Sequence, residues 1–433
     1  MKYYSTNKKS VRVNFREAVL KGIADDQGLF FPEKIEALPE EKIRDFQKTG
    51  LTEIACTIAG IFVKNDIPDK VLSEIIKDSL NFEIPLVKVE ENVFSLELFH
   101  GPTMAFKDVG ARFLARCMGY FNETGRTITI LVATSGDTGS AVANGFLGIE
   151  GIDVVILYPS EKVSPLQEKQ FTTLGKNITA IEVSGTFDDC QKMVKQAFAD
   201  PELKKRMDLS SANSINIARL IPQTFYYFFA HAQLARDSLP MIISVPSGNY
   251  GNLTAGLIAK RLGLPVKIFL AASNINRPVP DYLETGEYKP RPSLETIANA
   301  MDVGNPSNFA RILEMYDHAW KAIKKEIIGY SYTDDQIRKT IKQVYMKKGY
   351  LLDPHGATGY LALKEYLYDH PGIGIFFETA HPAKFHTIIE EVIEENLIIP
   401  EKLLEFNNRR KKTVVISNRF KDLKNYLFSQ ITG

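Results

Sequence analysis

The sequence predicts an α/β protein in which a mostly helical N-terminal region precedes parallel layers of strand and helix. Three observations support this fold class. Residues 14 to 77 read as helices, the chain beyond residue 93 alternates apolar strands with helices, and small polar residues follow several of those strands. Such alternation is typical of parallel sheets covered by helices. The chain of 433 residues is too long for one ordinary domain, and its length suggests roughly two or three.

The N-terminal region contains a clear helix start. Asn14 and Glu17 have the spacing of a capping box, in which each side chain satisfies a backbone N–H of the first turn. The stretch DDQGLFFPE then interrupts the helical pattern as a turn. Further helices are predicted over residues 38–48, 52–63 and 68–78.

Six apolar runs are predicted as buried strands: TITILVA, DVVILYP, ITAIEV, MIISVPS, VKIFLAA and IGIFFET. Thr186 and Asp189 frame another helix start. Three polar loops lie at strand ends, with the sequences TSGDTGS, SGNYGN and TAHPAKF. Because the carboxyl ends of parallel strands share one edge of a sheet, we expect these loops to meet around a cleft. The turn before Lys107, which precedes an amphipathic helix, can join them.

Composition excludes several classes of function. The net charge is +1, so there is no general electrostatic case for binding nucleic acid or an acidic membrane surface. Cys56, Cys117 and Cys190 form neither a disulfide framework nor a zinc signature. The N-terminus lacks the apolar core of a signal peptide, and no apolar run approaches the roughly 20 residues of a membrane span. We therefore expect a cytoplasmic protein.

The loop SGNYGN has the features of an anion-binding cradle. Gly248 and Gly251 allow the backbone to turn with its N–H groups pointing inward, and the following helix contributes its positive end. Asn249 and Asn252 can add amide donors. A plain turn between strand and helix, with two glycines, is the alternative.

The loop TSGDTGS carries several hydroxyl groups at another helix start, including those of Thr134, Ser135 and Thr138. These groups suit a carboxylate or a second phosphate, but capping of the helix by the same side chains is the alternative that this loop alone favours. In SANSINIARLIPQ, Arg219 follows Ser214 by about one and a half helical turns and has apolar neighbours. It requires an anion, which can be a ligand or an internal carboxylate.

The histidines show no metal-binding pattern, and we predict no metal site. His381 and His386 lack the HExxH frame of a zinc site. His355 and His100 are possible site residues, or hydrogen-bonded residues of the cavity wall.

Lys107 lies in HGPTMAFKDVGARF, at the border between a Gly-Pro turn and the amphipathic helix. A lysine in such a place usually forms an ion pair, and Asp108 is adjacent. A desolvated lysine, however, has a lowered pKa and can attack an aldehyde. An aldehyde cofactor that carries a phosphate would use both this lysine and a phosphate cradle. Pyridoxal 5'-phosphate (PLP) meets that description.

These motifs, in this order, resemble those of the threonine synthase family, in its longer subgroup of bacterial and fungal members. The matching blocks are YYSTN, DDQGLFFPE, HGPTMAFKDVGARF, TSGDTGSA, SANSINIARLIPQ, PSGNYGN, DPHGATG and ETAHPAKF. The resemblance implies the tryptophan-synthase-β-like fold (fold type II) of PLP enzymes, with two parallel-sheet α/β domains and a helical N-terminal domain. We place the domains at residues 1–92, 93–235 and 236–433, with the lysine and substrate loops in the second and the cofactor-phosphate loop in the third.

The resemblance also implies roles for individual residues. Lys107 would hold PLP as a Schiff base, and Thr379 would face the pyridine nitrogen. The cofactor phosphate would lie in the loop formed by Gly248, Asn249, Tyr250, Gly251 and Asn252. The substrate would contact Thr134, Ser135, Thr138, Asn213, Ser214 and Arg219. Within that set, Thr138, Ser214 and Arg219 are assigned to the substrate phosphate and Ser135 to the carboxylate end, whereas the role of Asp137 is open.

The implied reaction converts O-phospho-L-homoserine and water to L-threonine and phosphate, the last step of threonine biosynthesis. An O-phosphohomoserine phospholyase that releases 2-oxobutyrate is the nearest alternative, because the placement of water decides between the two. A catalytically silent PLP- or ligand-binding protein is an alternative of another class, and it would be expected to lack Lys107 or the cradle. The longer subgroup suggests a monomer.

Overall fold

The structure is a computed structural model, and it describes residues 1–122, 125–234 and 239–430. These residues form a two-stranded, a six-stranded and a five-stranded sheet with helices packed around them. The α/β class with parallel sheets and an added N-terminal region is thereby confirmed.

The N-terminal region combines four helices with a small antiparallel sheet. Strand β1 (Tyr3–Ser5) pairs with β2 (Phe30–Pro32). The helices are α1 (Phe15–Lys21), α2 (Glu40–Asp45), α3 (Leu51–Val63) and α4 (Asp69–Ser79), and a 3₁₀ turn, Phe46–Lys48, follows α2. The capping box at Asn14 and Glu17 is present, as predicted. Strand β2 lies inside the stretch predicted as a turn, because its three residues gain strand geometry only from pairing with β1.

The six-stranded sheet has the order β11-β10-β9-β12-β4-β3. Its strands are β3 (Leu86–Glu90), β4 (Val93–Glu97), β9 (Met241–Pro246), β10 (Val266–Ser273), β11 (Ile327–Ser331) and β12 (Ile373–Glu378). All neighbouring pairs are parallel except the antiparallel pair β3 and β4.

The five-stranded sheet is parallel throughout and has the order β13-β7-β6-β5-β8. Its strands are β5 (Ile128–Ala133), β6 (Ile152–Pro159), β7 (Ile178–Ser184), β8 (Asp208–Ser210) and β13 (Val414–Ser417). All six predicted strands exist in the two large sheets. The strands of these two sheets that were not predicted are the hairpin of β3 and β4, the edge strand β11, and the short strands β8 and β13.

The remaining helices cover these sheets. They are α5 (Lys107–Phe121), α6 (Asp137–Phe146), α7 (Pro165–Thr172), α8 (Phe187–Ala199), α9 (Pro201–Arg206), α10 (Ile217–Leu220), α11 (Gln223–Gln233), α12 (Gly251–Arg261), α13 (Pro278–Thr285), α14 (Phe309–Met315), α15 (Trp320–Glu326), α16 (Asp334–Lys348), α17 (Pro354–Asp369), α18 (His386–Ile393), α19 (Glu401–Asn407) and α20 (Phe420–Ser429), with 3₁₀ turns at Asn299–Met301 and Pro382–Phe385. Helix α8 begins with the predicted capping box at Thr186 and Asp189.

The sheets do not divide the chain at the predicted domain boundaries. Strand β4 follows residue 92 but lies beside β12, with Glu97 in register with Glu378. Strand β13 comes near the C-terminus but pairs with β7 of the other sheet. Both large sheets draw strands from distant parts of the chain, so the sheets alone do not define domain boundaries. The predicted domains, at residues 1–92, 93–235 and 236–433, stay predictions.

The carboxyl ends of β5, β9 and β12 all lead into the polar loops singled out from the sequence. This arrangement gathers those loops into one region between the two large sheets. Among the described residues, no helix is both long enough and apolar enough to cross a bilayer.

Candidate active site

The turn that carries Lys107 is attached to the end of strand β12. The Phe106 N–H donates to the Thr379 carbonyl oxygen over 2.8 Å, and Ala105 forms an antiparallel bridge with Ala380. Helix α5 then begins at Lys107. A residue at the first turn of a helix, held by a neighbouring strand end, has little freedom to move. The lysine is therefore fixed at the edge where the polar loops meet.

The Lys107 side chain faces a cavity of about 640 Å³. Within the described residues its amine makes no hydrogen bond or ion pair, and the Phe106 ring lies 5.7 Å away. Desolvation lowers the pKa of Lys107 to about 8. The nearby positive charges of Arg219 and Lys384 lower this pKa further, whereas the negative charge of Asp137 raises it. A free lysine amine with such a pKa is a competent nucleophile near neutral pH.

The loop after β9, residues 248–252, lines the same cavity. Tyr250 takes the left-handed conformation (φ 60°, ψ 13°), and helix α12 starts at the next residue without a side-chain cap. A Cβ atom at Gly248 would lie 2.5 Å from the Ala300 carbonyl oxygen, so this position requires glycine. Uncapped N–H groups at a helix start attract anions.

The side-chain amides of the loop are hydrogen-bonded within the protein. Asn249 Nδ2 donates to Ser214 Oγ (2.5 Å), and its Oδ1 accepts from the Ser307 N–H (2.6 Å). Asn252 Nδ2 donates to the Pro246 carbonyl oxygen (2.7 Å). From the sequence, these amides were predicted to be possible donors to an anion. In the structure these amides instead bind neighbouring protein groups and fix the shape of the loop.

In the loop after β5, one hydroxyl caps the helix and others face the cavity. Thr134 Oγ1 accepts from the N–H groups of Gly136 (3.0 Å) and Gly139 (2.8 Å). Thr134 was predicted to contact substrate, but its hydroxyl is committed to this loop and the residue does not line the cavity. Ser135 and Thr138 do line it.

Arg219 is buried and has no carboxylate partner among residues 1–122, 125–234 and 239–430. Its Nη1 donates to the Ala212 carbonyl oxygen (2.5 Å), and its Nε has no hydrogen-bond partner. Burial lowers its pKa to about 10, against the opposing charges of Tyr226 and Asp108. From the sequence, the anion for Arg219 could be a ligand or an internal carboxylate. The described residues supply no such carboxylate, which leaves a ligand. Asn213 Oδ1, in the same segment, is also buried without a partner.

The cavity brings together nearly all residues that were predicted from the sequence. The predicted residues in its lining are Lys107, Ser135, Thr138, Asn213, Ser214, Arg219, Gly248, Asn249, Tyr250, Gly251, Asn252 and Thr379. A nucleophilic amine, a helix start suited to a phosphate and a second, separate cation therefore share one enclosed space.

The comparisons with known proteins agree with this geometry. Residues 82–371 match the family of pyridoxal-phosphate dependent enzymes, and residues 2–80 match the threonine synthase N terminus. The chain is 46% identical to a threonine synthase of Haemophilus influenzae over 99% of both chains. The chain belongs to the threonine synthase family. Among solved structures, the threonine synthase of Escherichia coli superposes with a TM-score of 0.93 at 42% identity, covering 99% of this chain and 100% of that one.

A PLP-bound threonine synthase from Brucella melitensis is also similar, with a TM-score of 0.92 and 34% identity over the whole of both chains. The residues present here fit that cofactor. Lys107 offers a free amine for the aldehyde, and the uncapped start of α12 offers N–H groups for the phosphate. Thr379 lines the cavity beside the lysine turn. PLP is the cofactor of the family, and these residues would hold it.

The cavity also includes residues that were not predicted from the sequence to belong to the site. Thr6, Asn7 and Gln27 of the N-terminal region contribute to its wall. The turn at residues 25–28 folds tightly against β1, since Asp26 Oδ1 accepts from Ser5 Oγ (2.6 Å). The blocks YYSTN and DDQGLFFPE contributed to the family resemblance, but no chemical signal in them indicated a place at the cavity.

The two candidate histidines differ in position. His355 is buried in the cavity wall, where its Nδ1 lies 2.6 Å from Asp353 Oδ1 and its Nε2 accepts from the Ala300 N–H (3.2 Å). Because Nε2 accepts, the proton is on Nδ1, and His355 supports the segment that packs on Gly248. His100 lies outside the cavity lining, with Nε2 2.8 Å from Glu97 Oε2.

Proposed function

We propose that this chain converts O-phospho-L-homoserine and water to L-threonine and phosphate, with PLP attached at Lys107. One observation favours this reaction over other PLP-dependent reactions. Arg219 is a buried cation without a carboxylate partner in the described structure, and it packs against the helix that Lys107 begins. A Cβ atom at Gly110, one turn after Lys107, would lie 3.3 Å from Arg219 Nε. This cation is suited to a phosphorylated substrate.

Two separate anion sites support a reaction with two phosphates. The start of α12 is suited to the cofactor phosphate. Arg219, with Thr138 and Ser214, is proposed to hold the substrate phosphate, and Ser135 the carboxylate end. Ser214 also accepts the amide of Asn249, so the two sites are in direct contact through one hydrogen bond. Thr134 has no support as a ligand beyond the family resemblance.

The residues of the chain account for binding and proton movement. Lys107 Nζ, with a pKa near 8, can accept a proton from one substrate carbon and return it to another. Arg219 stabilises the negative charge that grows on the leaving phosphate, which lowers the barrier more than it strengthens ground-state binding. PLP, when bound, takes up the electron pair left on carbon as bonds to it break. A neutral Thr379 hydroxyl is proposed to face the pyridine nitrogen.

The proposed function is tested by identifying the products. Protein loaded with PLP is incubated with O-phospho-L-homoserine, and phosphate, threonine and 2-oxobutyrate are measured together. We expect threonine and phosphate in equal amounts. Release of phosphate with 2-oxobutyrate instead would identify a phospholyase, and absence of turnover in the PLP-loaded protein would indicate a binding protein.

We also propose that the protein acts as a monomer in the cytoplasm. Support for a reducing compartment comes from Cys56, Cys117 and Cys190, which are all free thiols. The monomer rests on the resemblance to the longer subgroup. Light scattering of the purified protein tests the monomeric state and should give the mass of one chain. Cell fractionation tests the cytoplasmic location.

A further inference from the structure

A buried ion pair links the two large sheets behind the wall of the cavity. Asp137 begins helix α6 after strand β5 of the five-stranded sheet. Lys384 lies in the 3₁₀ turn that follows β12 of the six-stranded sheet. Lys384 Nζ is 2.5 Å from Asp137 Oδ1, and the two side chains are 0% and 4% exposed. Burial of two charges is costly unless their geometry and hydrogen bonds compensate for it.

Neutral hydrogen bonds complete the surroundings of this pair. Gln167 Nε2 donates to Asp137 Oδ1 (2.8 Å), and Lys384 Nζ donates to the Thr103 carbonyl oxygen (2.9 Å). Thr103 also binds Asp108, through its N–H (2.9 Å) and its hydroxyl (2.5 Å). Asp108 directly follows Lys107, so the ion pair is connected to the start of α5 through a chain of short contacts.

Three charged groups outside its own helix act on the Lys107 amine. Asp137 favours its protonated form, and Arg219 and Lys384 favour its neutral form. On the helix itself, the adjacent Asp108 carboxyl is occupied by Thr103. Lys384 and Lys107 are therefore two cations that can compete for the single carboxylate of Asp137, and in the structure Lys384 holds it.

We propose that Asp137 and Lys384 are positioning residues that set the charge state of Lys107. Lys384 occupies the Asp137 carboxylate, which would otherwise form an ion pair with Lys107 and hold it as an unreactive ammonium. Asp137 in turn compensates the positive charge of Lys384, which would otherwise make Lys107 too weak a base to carry a proton. The significance for catalysis rests on the proposed function, whereas the effect on Lys107 itself does not.

The test measures Lys107 directly in protein without cofactor. A trace amine-acetylating reagent is added over a range of pH, and mass spectrometry gives the labelling of Lys107 relative to the exposed Lys70. Three variants are compared with wild type: Asp137→Asn, Lys384→Gln and the double variant. Circular dichroism establishes which of them fold, and threonine formation is assayed separately.

Loss of Asp137 leaves two cations near Lys107, so we expect the midpoint of labelling to move to lower pH by about 1 pH unit. Loss of Lys384 frees the carboxylate, so the midpoint should move to higher pH by about the same amount. The double variant should return close to wild type. A merely structural pair would lower stability in both single variants without moving the midpoint in opposite directions.

Unchanged midpoints, or shifts of the same sign, would overturn the proposal. If Lys384→Gln does not fold, Asp137→Asn decides alone, since any result other than a shift to lower pH contradicts the inference. A chain that shows the expected shifts but forms no threonine would keep this inference and refute the proposed reaction.

Discussion

Asn249 donates its amide to the Ser214 hydroxyl over 2.5 Å, which joins the loop proposed for the cofactor phosphate to the segment proposed for the substrate phosphate. The same asparagine accepts the Ser307 N–H (2.6 Å) through its other amide atom. A single side chain therefore connects the two proposed anion sites.

Replacement of Ser214 by alanine should weaken both sites. The Asn249 amide loses a partly buried acceptor, at a cost of up to about 1–3 kcal/mol. We expect the dissociation constant of PLP and the KM for O-phospho-L-homoserine each to rise about tenfold, a change equivalent to about 1.4 kcal/mol. Spectroscopic titration and steady-state kinetics measure the two constants. Ser293→Ala, at another residue of the cavity lining, is the control and should change neither.

Replacement of Lys107 by alanine should abolish turnover and covalent attachment of PLP while the fold is retained. The amine is the nucleophile in the proposed chemistry, and the one other lysine among the described residues of the cavity lining is Lys195. Borohydride reduction followed by peptide mass spectrometry should place the label on Lys107 in wild type and on no residue of the variant. Lys70→Ala, at an exposed site, is the control. Labelling of a different lysine in wild type would refute the assignment.

The pH dependence of PLP attachment should reveal the lowered pKa of Lys107. Only the neutral amine attacks an aldehyde, and its share falls about tenfold for each pH unit below the pKa. Burial lowers that pKa from 10.5 to about 8. The rate of attachment to cofactor-free protein, followed by stopped-flow absorbance, should therefore rise up to about pH 8 and then level off. A rate that keeps rising to about pH 10 would indicate an ordinary lysine.

Replacement of Arg219 by alanine should impair the substrate phosphate site far more than the cofactor site. Removal of a charged hydrogen-bonding group from a buried anion site costs about 3 kcal/mol, so kcat/KM for O-phospho-L-homoserine should fall about 100-fold. PLP affinity should change less than threefold, as measured by titration. Arg410→Ala removes an exposed arginine and serves as the control for net charge. Lost PLP binding with an unchanged KM would move Arg219 out of the substrate site.

Replacement of Gly248 by alanine should damage the cofactor cradle through a steric clash. The new Cβ would lie 2.5 Å from the Ala300 carbonyl oxygen and 2.9 Å from Met301 Cα, so the backbone must shift. We expect PLP affinity to fall at least about tenfold, as measured by spectroscopic titration. The control is Gly60→Ala in helix α3, where the nearest atom would be 4.0 Å away. That change should leave PLP affinity intact and stabilise the fold by about 0.5–1 kcal/mol.

The sequence predicted features whose causes are local. The capping boxes at Asn14 and Thr186 formed because the partners that satisfy the first-turn N–H groups are three residues away. The six apolar strands formed because continuous apolar runs bury themselves in a parallel sheet. The predicted loops follow those strands, so most of the candidate site could be assembled from order alone.

The sequence by itself thus determined the α/β class, the predicted strands and the loops that meet at the cavity, because each depends on neighbours within a few positions. Tertiary structure alone decided which sheet receives β4 and β13, and that Thr134 caps a helix while Ser135 and Thr138 face the cavity. It also decided that Arg219 pairs with no carboxylate among the described residues and that Lys384 reaches Asp137 from the opposite sheet. These outcomes depend on which distant segments pack together, and a pattern of neighbouring residues does not encode that choice.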